Sequence, residues 1–113
     1  MTRLFVYSSQ FLKCWDAMGL NDRHLSLLER QLLINPKVGD VIEGTGGARK
    51  LRIQLEDNRS KSGGGRVIYI DLEQLSKIYM LFAYPKKIQE NLTDEQKRMI
   101  RIMIGHIKKE GMF

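Results

Sequence analysis

The chain has one cysteine, Cys14, so no intramolecular disulfide can form and cysteine alone cannot build a metal cluster. Its histidines, His24 and His106, stand apart without metal-ligand spacing, and each reads as a surface or internally satisfied residue. Long apolar runs are missing as well. The longest, Ile78 to Tyr84, is too short to cross a bilayer, and the first residues lack the apolar core of a signal peptide. No dinucleotide fingerprint, nucleophile elbow or metalloprotease motif occurs. These absences point to a protein of the cell interior, without membrane contact, cofactor or bound metal.

What is present is a chain of 113 residues with 42% apolar content, enough for one domain over residues 1–113 with a modest core. Net charge is +6, and it is unevenly placed. Residues 1–48 hold five basic and five acidic groups, whereas residues 49–66 hold six and two, and residues 86–113 hold seven and four. Basic charge gathered in two segments of the second half suits a phosphate-rich partner, because each neutralised phosphate releases counterions.

The pattern along the chain predicts a β-α-α-β-β-β-α order. Residues 3–8 form a first strand around Phe5, Val6 and Tyr7. Phe11, Leu12, Trp15 and Met18 recur at helical spacing until Gly19. Asn21 then caps a second helix with Leu25, Leu28 and Leu32 on one face, ending at or before Asn35 because of Pro36. Residues 38–47 read as a glycine-rich loop. From Ala48 the period becomes two, with Leu51, Ile53 and Leu55 alternating with Lys50, Arg52 and Gln54. Residues 56–65 read as a polar loop, and residues 66–72 and 77–84 as a hairpin of central strands covered by helices on one face. Thr93 and Gln96 have capping-box spacing for a last helix with Met99, Ile100, Met103, Ile104 and Ile107 on a stripe. The fold class is thus α+β, with a small, antiparallel-dominated sheet of four strands, two N-terminal helices packed on it and a C-terminal helix.

Three constellations can carry chemistry. On a strand, Lys50 and Arg52 leave the same face, about 7 Å apart, a spacing able to grip neighbouring phosphates. Arg66 stands at the mouth of a strand after Gly63, Gly64 and Gly65, and a guanidinium can hold a phosphate through two donors. Tyr84, Lys86 and Lys87 sit where the last strand stops, with a ring to stack on a base and ammonium groups for phosphate. Arg49, Arg59 and Lys61 extend the basic segment. Cys14 lies among apolar helical positions and reads as a structural thiol.

The run Asn35-Pro36-x-x-Gly39-Asp40-x-Ile42-x-Gly44-Thr45-Gly46-Gly47-x-Arg49-Lys50-x-Arg52 resembles the HigB branch of the RelE/ParE toxin superfamily. So do Gly64-Gly65-x-Val67-Ile68-Tyr69 and Tyr84-Pro85-Lys86-Lys87. The resemblance implies a compact RelE-like fold and the toxin role in a type II toxin–antitoxin system. Such toxins enter the A site of the 30S subunit and cut translated mRNA, without a metal or cofactor. The implied partners are the ribosome, mRNA and a helix-turn-helix, HigA-like antitoxin, with operator DNA reached only through the antitoxin complex. The implied location is the cytoplasm.

Matched position by position, Lys50 and Arg52 correspond to the basic strand pair of RelE-type toxins, Arg66 to their strand arginine, and Lys86 and Lys87 to the basic pair after the last strand. Two departures stand out. Lys87 replaces an arginine, and the family's tyrosine further on has no counterpart near Thr93, which leaves Tyr84 as its stand-in. The implied reaction is attack of the 2′-OH on the adjacent phosphorus, giving a 2′,3′-cyclic phosphate and a 5′-OH end. Arginine cannot be the base because it stays protonated. Lys50, crowded by like charges, is the base candidate, with Arg52 and Arg66 as charge stabilisers and Lys86 or Lys87 as the acid. The expected RNA contacts are Arg49, Lys50, Arg52, Arg59, Lys61, Arg66, Lys86 and Lys87. Two other readings stay open: a ParE-like inhibitor of DNA gyrase, and a non-catalytic ribosome- or RNA-binding module.

Overall fold

The computed structural model describes residues 2–54 and 64–111. Strand β1 (Leu4–Tyr7) leads into helix α1 (Ser9–Ala17) and helix α2 (Asp22–Ile34), followed by strands β2 (Asp40–Val41), β3 (Arg49–Ile53), β4 (Gly65–Leu72) and β5 (Lys77–Pro85), and helix α3 (Asp94–Glu110). The sheet runs β1-β5-β4-β3-β2, with β1 parallel to β5 and the other neighbours antiparallel.

Local chemistry sets the helix limits. Ser8 caps α1 by accepting from the Phe11 amide at 2.9 Å, and Gly19, at φ +76°, turns the chain after it. Asn21 caps α2, and the His24 ring accepts the Asn21 amide in return at 3.0 Å, so this histidine completes a cap. Thr93 and Gln96 close the capping box foreseen for α3.

One face of the sheet packs against α1 and α2. Phe11, Trp15, Leu28 and Leu32 meet Leu51, Val67, Tyr69, Ile78, Met80 and Ala83 there. The opposite face packs against α3, where Ile100 and Ile104 meet Ala48, Ile68, Ile70, Leu81 and Phe82. Both faces of the central strands are therefore covered, not one as the near-continuous apolar runs suggested. A bulge adds to the α3 side. Ile68 pairs with Phe82 and Tyr69 with Met80, which leaves Leu81 as an extra residue on β5. The alternation slips there, and both Leu81 and Phe82 join the α3 side.

The sheet also has five strands among the described residues rather than the four expected, because Asp40–Val41 lies beside β3. The segment read as a loop is pinned by polar contacts. The buried Tyr69 hydroxyl donates to the Pro36 carbonyl at 2.8 Å and accepts the Gly39 amide at 3.0 Å. Arg49 donates to the carbonyls of Gly39 and Lys37 at 2.7 and 3.1 Å. A Cβ on Gly39 would stand 2.8 Å from the Lys50 carbonyl oxygen, so the close approach of the two strands requires glycine. The turn that follows is tied by buried Thr45, which donates to the Ile42 carbonyl and accepts the Ala48 amide. Arg101 and Lys108 of α3 then donate to the Gly44 and Gly46 carbonyls, fastening the helix to that turn.

Candidate functional site

Strand register gathers the basic residues. Across β3 and β4, Arg52 is the partner of Arg66 and Lys50 that of Ile68, and across β4 and β5 Arg66 is the partner of Tyr84. Cross-strand partners share a face, so Arg52, Arg66 and Tyr84 form a row over three strands, with Lys50 two residues along β3. This is the α3 face. The cations occupy the end of it beyond the helix's apolar contacts.

The chain between β5 and α3 folds over that end. The Lys86 amide donates to the Gly64 carbonyl at 3.0 Å, continuing the hairpin beyond Pro85. The Lys50 ammonium donates to Asn91 Oδ1 at 2.9 Å. Arg66, only 1% exposed, donates to the Gly65 carbonyl at 3.0 Å and faces Glu90 Oε1 at 3.6 Å. Lys86 faces Glu90 Oε2 at 3.8 Å. The Tyr84 hydroxyl donates to the Glu90 carbonyl oxygen at 3.3 Å. Gln89 joins Gln96 at 2.8 Å, which ties the crossing segment to the capping box of α3. Lys50, Arg66, Tyr84 and Lys86 are thus brought together around Glu90 and Asn91, while Arg52, the cross-strand partner of Arg66, is exposed and also lines a cavity with Leu28 and Gln31 of α2.

The other candidates are placed elsewhere. Arg49 leaves the opposite face of β3 and spends its guanidinium on the main chain around Gly39. Lys87 is exposed and lines a cavity of about 480 Å³ between α1 and the end of β5, beside Cys14, Met18, Pro85 and Ile88. Arg59 and Lys61 lie outside the described residues. Tyr84 is buried, with its ring tilted against Phe82 at 5.7 Å between centroids, so in this conformation it offers the site its hydroxyl and no stacking face. Burial raises the Tyr84 hydroxyl above the ordinary tyrosine range, Arg66 pulls the other way, and Glu90 adds to the rise. The hydroxyl therefore stays a donor at neutral pH.

Glu90 and Asn91 were not anticipated from the sequence. The only signal for them was position, since they fall between the basic pair at 86–87 and the capping box at Thr93. The patch gathers its cations around Glu90 and Asn91, with Arg66 also donating to the Gly65 carbonyl. Among the described residues no group of three or more His, Cys, Asp or Glu side chains could hold a metal ion. Likewise, no described helix is long and apolar enough to cross a membrane.

No protein-family profile matches the chain. Solved structures do. A double mutant of the E. coli toxin RelE in its free state matches with a TM-score of 0.55 at 17% identity, over 80% of this chain and 90% of that one. The intact E. coli RelBE toxin–antitoxin complex matches at 0.52 and 16%, over 74% and 96%. The isolated E. coli RelE toxin gives 0.52 and 12%, over 90% and 99%. At these identities the likeness is one of architecture, and this chain has the RelE-like α+β fold.

Proposed function

We propose that this chain is the toxin of a type II toxin–antitoxin pair, of HigB type by its sequence motifs, and that it cuts translated mRNA in the ribosomal A site. The observation that carries the reading is the convergence of Lys50, Arg66 and Lys86 around Glu90 and Asn91, with Arg52 the cross-strand partner of Arg66. A scissile phosphate laid there would meet the Lys50 and Lys86 ammonium groups, with the buried Arg66 guanidinium behind Glu90 adding positive charge where the phosphorane forms. Lys50 and Arg52 hold the neighbouring phosphates, Arg66 offsets the charge of the reacting one, and Lys86, the member of the basic pair that reaches the patch, protonates the leaving 5′ oxygen. Most of the positioning comes from the ribosome, so cleavage of free RNA is weak.

The partner of such a toxin is an antitoxin, and RelE-like architecture is found in a complex of that kind. For this chain the proposed antitoxin is a HigA-like helix-turn-helix protein, and the proposed setting is the cytoplasm. Primer extension on mRNA from cells expressing the chain tests the reading. Cuts at codon positions with 5′-OH ends are expected, and Arg66→Ala should lower them by about 10²–10³-fold. Arg52→Ala, at an exposed position, supplies a variant whose folding is not in question. An unchanged transcript together with blocked gyrase supercoiling would replace this reading with the gyrase inhibitor. Ribosome binding without cuts would replace it with the non-catalytic module.

A further inference from the structure

The nuclease reading leaves open which group accepts the 2′-OH proton. Arginine stays protonated, and lysine is ordinarily charged at neutral pH, so Lys50 would first have to lose a proton. The Lys50 ammonium is engaged as a donor to Asn91 Oδ1. Carboxylates, by contrast, are ordinarily ionised at neutral pH. Glu90 places one on the cation patch, with one oxygen toward Arg66 at 3.6 Å and the other toward Lys86 at 3.8 Å. Its backbone is fixed from several sides. Tyr84 donates to its carbonyl oxygen, Lys50 holds the next residue, and Gln89 before it is bound to Gln96. The carboxylate itself remains 51% exposed, open to whatever lies on the patch. A pinned backbone carrying an accessible carboxylate between two cations is the arrangement a general base for phosphate-centred chemistry needs.

Resting on the nuclease reading, we propose that Glu90 is the catalytic base, taking the 2′-OH proton while Lys86 supplies the proton to the leaving oxygen. The 2′ oxygen bonds to phosphorus, the bond from phosphorus to the 5′ oxygen breaks, and its electron pair takes the Lys86 proton. The step leaves Glu90 protonated and Lys86 neutral. Transfer of one proton between these neighbours restores the starting state, so the cycle balances with no further reactant. Lys50 keeps a gripping role, holding phosphate and the Asn91 end of the segment.

Single-turnover cleavage on mRNA-programmed ribosomes, over a range of enzyme concentration, tests the assignment with wild type, Glu90→Gln, Glu90→Asp and Lys50→Ala. Glu90→Gln is isosteric and removes a negative charge next to the phosphate, so binding should hold or tighten. Its maximal rate should fall about a hundredfold or more. Glu90→Asp should restore part of the rate. Lys50→Ala should weaken binding and keep the rate at saturating enzyme. Glu90→Gln cutting as fast as wild type, or faster, would mark Glu90 as a counter-ion and overturn the assignment alone. A saturated rate lost in Lys50→Ala and kept in Glu90→Gln would return the base role to Lys50. Wild type leaving the message uncut would instead defeat the nuclease reading, and the assignment with it.

Discussion

Tyr69 shows how one side chain can hold a motif together. Its hydroxyl bridges the Pro36 carbonyl and the Gly39 amide, both ends of the Asn35 to Gly39 run that marks the resemblance to HigB-type toxins. That run is therefore a structural signature, since it positions β2 and brings Arg49 onto the main chain. Replacing Tyr69 by Phe leaves a buried amide and carbonyl without their partner and should cost about 1–3 kcal/mol, read as a lower thermal or denaturant midpoint. Burial also raises the Tyr69 hydroxyl, the Gly39 and Arg49 contacts opposing it, and raises Tyr84 likewise. A group whose folded pKa is raised stabilises the fold fully below its unfolded value, about 10 for tyrosine, and loses that contribution as pH climbs through the folded value. Alkaline titration followed by absorbance should show two late-ionising tyrosines whose ionisation coincides with unfolding. At this scale the sequence exposed the cations, because Lys, Arg and strand alternation are visible in a string of letters. It hid Glu90, because its meeting with Arg66 depends on a crossing segment that no periodicity describes.

At the level of elements, the helices were legible to within a residue or two because their ends are chemical. Ser8, Asn21 and Thr93 cap them, and Gly19 and Pro36 stop the first two. Strand β2 was not legible, since two residues held by distant Tyr69 and Arg49 leave no local alternation. Nor was the placement of α3. Its stripe announced an apolar partner, but only the bulge at Leu81 shows that this partner is the second face of the sheet. Ile104 of α3 is 2% exposed, so Ile104→Ala should cost about 2–5 kcal/mol through the cavity it leaves. Arg101→Ala, which loses an exposed bond to the Gly44 carbonyl, should cost under about 1 kcal/mol. The glycine of the β3–β4 connection is more demanding. Gly64 sits at φ +72°, and a Cβ there would collide with the Ile53 carbonyl oxygen. Gly64→Ala should therefore disturb the register that sets Arg52 opposite Arg66 and, on the nuclease reading, reduce cutting beyond any loss of stability.

For the whole molecule, charge and topology act together. The excess of basic over acidic groups in residues 49–66 and 86–113 is divided in sequence, yet β3, β4 and the segment after β5 bring one group from each, Lys50, Arg66 and Lys86, to one end of the sheet. If that end meets single-stranded RNA, affinity should fall linearly with the logarithm of salt. Removing Arg52 or Lys86 should flatten the slope by about 0.7 each. Equilibrium binding of a programmed ribosomal complex across a salt series measures this, and a slope indifferent to both substitutions would place the contact elsewhere.

The parallel pairing of Leu4–Tyr7 with Lys77–Met80, reinforced by the Arg3 to Asp71 ion pair at 2.7 Å, joins the first strand to the last. During synthesis the first strand emerges long before its neighbour exists, so the sheet cannot close until most of the polypeptide has left the exit tunnel. A nascent chain would thus lack the closed sheet for most of its own synthesis, its first strand waiting unpaired for a neighbour still to be made.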